Sequence, residues 1–121
     1  QMMAKKSDEG TVAGLGWIDA DVKKFDASTI EFHTKLPHMG WNDVNPTLNH
    51  RLFDGLEKDA IFYFLHSYYF KCNNNNEIIS TSEYGIKFAS SIQHENIYGI
   101  QFHPEKSHSN GERLLHNFAK L

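Results

Sequence analysis

Apolar positions along this chain recur mostly with the two-residue period of extended strands, and with a helical period near its end. Strand side chains alternate between faces, whereas one helix face repeats every three to four residues, so the two periods separate the element types. Residues 20–25 alternate loosely, and residues 29–36 more clearly, with Ile30, Phe32, Thr34 and Leu36 on one side. These two stretches read as an antiparallel pair. Residues 60–70 form the most apolar run and predict a strand buried on both faces. Residues 78–84 and 86–92 flank Gly85 and predict a hairpin, and residues 97–103 predict a further strand. Leu114, Leu115, Phe118 and Leu121 share a helical face, preceded by Ser109 and Glu112 at the spacing of a capping box.

The connections carry their own signals. Residues 7–10 read as a helix end and turn, residues 45–46 as a turn, residues 52–56 as a helical turn, and residues 73–76 and 93–96 as polar turns. The glycine-rich residues 11–17 predict either a short strand or a loop where backbones approach closely. Pro37 marks a strand boundary. Residues 1–6 are good helix formers with neither an N-cap nor an acidic first turn, and they read either as the last turns of a helix or as a short frayed end. The sum is a strand-rich chain with a helix at each end.

Composition narrows the class. A length of 121 residues supports one domain at most, and 40% hydrophobic with 22% charged residues is ordinary for a globular chain. A net charge of −3 without a basic cluster argues against nucleic acid or an anionic membrane surface as partner. No apolar run approaches the ~20 residues that span a bilayer. The single cysteine, Cys72, rules out an internal disulfide and fits a reducing cytoplasm.

Residues 99–107, Gly-Ile-Gln-Phe-His-Pro-Glu-Lys-Ser, concentrate the candidate chemistry. Pro104 removes a backbone donor and favours an extended His103, so sheet pairing should stop there. In a chain extended through the proline, His103 and Glu105 emerge on one side. A carboxylate beside an imidazole accepts its Nδ1–H, fixes the tautomer and stabilises the imidazolium. That is the base half of a catalytic triad; the competing reading is a charged strand end on a non-enzymatic binding module. A metal site from His103, Glu105 and His108 fits poorly, because His103 and His108 are spaced for neither one helix face nor strand alternation. Cys72 ends an aromatic strand with no helix N-terminus to stabilise a thiolate, and Lys71 should point to the opposite face. It reads as structural.

Residues 99–107 resemble the His/Glu signature of the class I, triad-type glutamine amidotransferases. Residues 37–42, Pro-His-Met-Gly-Trp-Asn, and residues 66–68, His-Ser-Tyr, narrow the resemblance to the HisH-type glutaminase subunits of imidazole glycerol phosphate synthase. The resemblance implies an α/β fold, a flavodoxin-like three-layer domain, of which residues 1–121 are the C-terminal portion. In that family the nucleophile lies in a Gly-x-Cys-x-Gly-Met-Gln elbow, and Gln1 looks like its last residue. His103 would then be general base and acid, with Glu105 orienting it. Gln1, Ser67 and Tyr68 would hold the substrate glutamine, the last two largely through backbone. Lys106, Trp41 and Asn42 would face a HisF-like cyclase partner in a heterodimer, which receives the ammonia and forms imidazole glycerol phosphate and AICAR in histidine biosynthesis. No cofactor and no metal are implied.

Two expectations follow from the resemblance. A chain without the cysteine should be inactive by itself, and one without the first strands of the domain should expose apolar surface around residues 61–65, leaving it partly disordered, self-associated or accompanied by separated N-terminal sequence. One departure is Trp17, which looks more like HisH-like paralogues that supply ammonia for amination or amidination of a sugar nucleotide in surface-polysaccharide synthesis. The half-site motifs are the same in both.

Overall fold

The computed structural model describes residues 1–29, 36–47 and 49–121. The first residues do not form the helix that their propensities predict. Ala4 N donates to Gln1 O in one tight turn, and the carbonyls of Met2, Met3, Ala4 and Lys5 accept from Leu15, Ile18, Gly16 and Gly14 at 2.9–3.1 Å. A helix needs those carbonyls for its own ladder, so the loop over residues 14–18 displaces it. Gly14 makes this approach possible, since a Cβ there would sit 2.0 Å from the Ala4 carbonyl oxygen. The glycine-rich stretch is thus the closely approaching loop of the two readings, and not a strand.

Nine strands and one helix are defined among the described residues: β1 Lys6–Ser7, β2 Ala20–Lys24, β3 His38–Asp43, β4 Asn45–Pro46, β5 Ile61–His66, β6 Tyr68–Cys72, β7 Ile78–Tyr84, β8 Ile86–His94, β9 Ile97–Ile100 and α1 His108–Ala119. The main sheet runs β1-β2-β6-β8-β7-β4, with β9 also paired to β8. β2 has β1 as a parallel neighbour and β6 as an antiparallel one. Of its predicted partner over residues 29–36, residues 30–35 lie outside the described residues. The hairpin about Gly85 forms as its pattern predicts, with Gly85 at φ +75° where a side chain would be strained.

The apolar run over residues 60–70 departs from its prediction. It is two strands in two sheets, broken at Ser67: β5 forms a separate two-stranded sheet with β3, while β6 sits inside the main one. β5 buries one face. Phe62 and Phe64 are fully buried, whereas Ile61 and Leu65 on the other face are 46% and 40% exposed. Phe62 and Phe64 join Phe88, Phe102 and Leu114 in the larger core; Val22, Phe70 and Ile92 belong to a second core around β2 and β6. Each such buried side chain is worth roughly 1.5–3 kcal/mol.

The terminal helix exists but starts and packs differently from its sequence pattern. Ser107, not Ser109, takes the N-cap position, and its side chain makes no capping bond. Leu114 is buried while Leu115, Phe118 and Leu121 remain about half exposed. A polar residue completes the inner face instead: Asn117 donates to the carbonyls of Leu52 and Asp54 at 2.9 and 2.8 Å, tying α1 to the 3-10 turn Arg51–Phe53. Among the described residues no helix is long and apolar enough to cross a membrane.

Candidate active site

One edge of β8 carries two strands, and the register explains where a cleft must open. β6 pairs with β8 at Phe70 and Ala89, and continuing that register by two residues brings Tyr68 opposite Ser91. Ser91 is already paired with Ile100 of β9. Both strands cannot occupy one position on the edge, so β6 and β9 splay. The Gln1 side chain spans the gap, its Nε2 donating to Tyr68 O at 2.9 Å and to Gln101 Oε1 at 2.8 Å.

Beyond the gap is an open cleft of about 730 Å³, lined by Gln1, Ser67 and Tyr68 on one side and by residues 100–105 on the other. β9 ends at Ile100, and the alternation predicted through residue 103 breaks there: Ile100 is exposed while Phe102 is buried. His103 then docks on β5 instead, its backbone N–H donating to Tyr63 O at 2.9 Å.

The chain does not stay extended through Pro104. Residues Pro104–Lys106 form a 3-10 turn, and this turn, not strand alternation, brings Glu105 back to the imidazole. His103 Nδ1 donates to Glu105 Oε1 at 2.8 Å, which leaves Nε2 for proton transfer. The Glu105 carboxyl is held below its usual range by a backbone N–H and by the His103 bond. Ser107 secures the turn from behind, donating to His103 O at 2.5 Å and accepting from Tyr63 N at 3.0 Å. Gly111 lets α1 press on it, because a Cβ there would lie 1.8 Å from Pro104 O.

Residues 1–121 match, over their whole length, the family model described as glutamine amidotransferase class-I. The chain belongs to the class-I glutamine amidotransferases. Curated relatives include imidazole glycerol phosphate synthase subunits HisH of Leptospira borgpetersenii, 49% identical, and Bdellovibrio bacteriovorus, 47% identical, each matched over the whole chain and 59% of the relative's length. The chain therefore spans about three fifths of the relatives that it matches. A solved structure from Thermoplasma acidophilum, provisionally assigned to GMP synthase, aligns with TM-score 0.62 at 24% identity, over 84% of this chain and 47% of that one. That likeness supports the α/β fold.

The remaining candidates of this amidotransferase chain lie off the cleft. Trp41 stacks on the His108 ring at 5.3 Å and meets Tyr63 edge-on, and Lys106 Nζ lies 5.7 Å from the Tyr63 ring centre. These groups form an outer patch on the far side of Tyr63. Asn42 turns partly inward, with its amide bonded to the Glu83 carbonyl at 2.7 Å. Among the described residues no three His, Cys, Asp or Glu side chains are grouped to hold a metal, and His108 is engaged by Trp41. Cys72 lies outside the cleft, its thiol pushed up to about 12 by burial and by the nearby Glu77 charge, so it stays protonated.

Sequence reasoning missed a buried pair. His38 and His66 face each other across the β3–β5 ladder, 2.9 Å apart between Nδ1 and Nε2, and His66 Nδ1 lies 2.6 Å from Tyr68 O. The available signal was His66 itself, an ionisable ring inside an aromatic run, which requires a partner when buried.

Proposed function

We propose that this chain is the base-bearing portion of a glutaminase subunit that releases ammonia from glutamine. The ammonia passes to a HisF-like cyclase for the formation of imidazole glycerol phosphate and AICAR. The observation that carries this reading is the 2.8 Å His103–Glu105 bond on the wall of the cleft that Gln1, Ser67 and Tyr68 share. A binding module has no use for an imidazole whose tautomer is fixed and whose Nε2 is left available.

The nucleophile of this reading is a cysteine outside these 121 residues, since Cys72 is off the cleft and protonated. Its thiolate attacks the amide carbon of glutamine, forming a C–S bond. His103 gives a proton from Nε2 to the departing nitrogen, so ammonia leaves and a thioester remains. The now neutral ring takes a proton from water, which attacks the thioester, releasing glutamate and the thiolate. Glu105 keeps the Nδ1–H in place throughout and offsets the charge of the imidazolium. Gln1, Ser67 and Tyr68 position the substrate.

The cyclase surface of the reading is the outer face of β3 and β5. Met39, Trp41, Ile61 and Leu65 are 65%, 46%, 46% and 40% exposed there, beside Lys106. An apolar centre with a charged rim is the usual composition of a specific interface. Asn42, next to Trp41 on β3, faces the other way, with its amide on the Glu83 carbonyl.

The test is ammonia release by the subunit that contains this chain, assembled with its cyclase. Turnover that collapses in His103→Ala is the expected result; turnover untouched by that substitution would overturn the reading. The 121-residue chain alone should release no ammonia from glutamine, and any release above its own His103→Ala control would contradict the external nucleophile. Equal turnover with and without the cyclase would contradict the partner's role. Trp17 does not line the cleft. The HisH names of the relatives favour the histidine-pathway acceptor over a sugar nucleotide, and consumption of ammonia in the presence of each acceptor separates the two.

A further inference from the structure

His38 and His66 sit in an aromatic enclosure. His38 stacks between Phe64 and Tyr84, with centroids 4.8 and 4.1 Å away and planes within 18° and 15°, and Phe25 and Phe88 each approach His66 at 5.3 Å. The residues are only 4% and 8% exposed. Burying two imidazoles is unfavourable unless every nitrogen is partnered, and an apolar pair would fill the same space without that penalty. The polar pair must therefore supply something that packing does not.

The hydrogen bonds have one consistent direction. A carbonyl can only accept, so His66 Nδ1, 2.6 Å from Tyr68 O, carries the proton. In a neutral ring His66 Nε2 is then the acceptor, and the facing His38 Nδ1 at 2.9 Å is the donor. His38 Nε2 in turn accepts from Asn42 Nδ2 at 3.2 Å, while that amide's other hydrogen goes to Glu83 O and its oxygen accepts from Asp43 N at 2.8 Å. All four ring nitrogens are satisfied, and every dipole points from β3 toward the cleft. The relay ends on the carbonyl that also accepts from Gln1 Nε2 at 2.9 Å. Burial holds both rings down to about 4, so each stays neutral near pH 7 and the direction is kept.

We infer that His66, held by His38, is a positioning residue for glutamine binding: its Nδ1–H fixes the Tyr68 carbonyl, and with it the backbone wall of the cleft, in the direction that Gln1 and the substrate require. This rests on the glutaminase reading, and it adds two residues that do not react themselves. The alternative is that the pair merely fills the core, in which case any shape-preserving replacement that folds should bind glutamine equally well.

The experiment uses the whole subunit with its cyclase and compares His66→Phe with His66→Asn. Phenylalanine keeps the ring and removes the donor, whereas an asparagine amide can restore a donor near the Nδ1 position. Loss of one such bond corresponds to a rise of about tenfold in the glutamine KM of His66→Phe, with kcat changed less, and His66→Asn should recover most of it. A glutamine KM for His66→Phe equal to that of the unsubstituted complex, or no recovery in His66→Asn, would overturn the positioning role while leaving the glutaminase reading intact. Absence of turnover in the unsubstituted complex would instead sink that reading and this inference together. A measurement without any substitution covers the case in which His66→Phe fails to fold. Side-chain nitrogen NMR of the unsubstituted complex should show His38 and His66 as Nδ1–H tautomers at neutral pH, and an Nε2–H tautomer for His66 would overturn the relay.

Discussion

The His103 imidazole and the Glu105 carboxylate are joined at 2.8 Å across a 3-10 turn, so their separation is set by the turn and not by a strand. In the assembled subunit, His103→Ala should lower glutaminase turnover by roughly 10²–10⁴-fold, the usual contribution of a positioned acid–base group. Glu105→Gln keeps an acceptor for Nδ1–H but removes the charge that offsets the imidazolium. Steady-state ammonia release should place it between the unsubstituted protein and His103→Ala. Unchanged turnover in Glu105→Gln would remove the carboxylate from the mechanism.

Ser107 is the bracket of this turn. Ser107→Ala loses the bonds to His103 O and from Tyr63 N; His103 O keeps Lys106 N as a donor, but the half-buried Tyr63 N–H loses its acceptor, at a cost of about 1–3 kcal/mol. Urea unfolding should show a lower midpoint with an unchanged slope. Gly111→Ala should be at least as harmful, because its Cβ would overlap Pro104 O at 1.8 Å and backbone cannot easily move aside. A neutral Gly111→Ala would mean that α1 does not press on the turn.

The buried histidines make folding sensitive to acid. Both rings ordinarily ionise near 6.5 but are held to about 4 in the fold, chiefly by burial; His66 pushes His38 down further, and for His66 the Tyr68 carbonyl bond opposes the burial while His103 adds to it. As pH falls from 6.5 to 4 the unfolded chain takes up protons first. Their contribution is thus complete above pH 6.5 and declines down to about pH 4, by on the order of 3 kcal/mol per ring at most. Denaturant midpoints across this range should fall with pH, and less steeply in a His38→Phe, His66→Phe double variant. Parallel profiles would contradict the assignment.

Cys72 should be chemically quiet. With its thiol pushed from 9.0 to about 12, the reactive thiolate is about a thousandfold scarcer than at an unperturbed thiol near pH 8. Alkylation by iodoacetamide, followed by mass-mapping of this residue, should be correspondingly slow in the native state and ordinary in urea. Rapid native labelling would refute the burial argument. Cys72→Ala should leave glutaminase turnover unchanged.

Local rules were legible wherever local chemistry decides the outcome. The hairpin at Gly85, strand β2 and the terminal helix follow from alternation, a φ-permissive turn residue and helical spacing, whereas the His103–Glu105 proximity expected of an extended chain is reached by a 3-10 turn instead. The misreadings came from partners distant in sequence. Residues 1–5 have helix propensity, but the 14–18 loop takes their carbonyls. Residues 60–70 stay apolar and aromatic through a change of sheet that composition does not register. His66 looks like a stray polar residue until β3 is laid beside it, and Ser107 serves its turn with an oxygen that a capping pattern would have assigned elsewhere.

The break at Ser67 sets a rule about chain length. Phe62, Phe64 and Phe70 all fall on even steps, yet the first two fill one core and the third fills the other. A single inserted or deleted residue between Phe64 and Phe70 would keep one core and turn the other inside out. The same slip would swing the Tyr68 carbonyl away from His66 and Gln1. Length change is far cheaper a few residues later, at the exposed asparagine turn before Glu77. The spacing between the cores is a fixed count that the cleft depends on, and a gain or loss of one residue there would be felt as lost binding even with every side chain of the site still present.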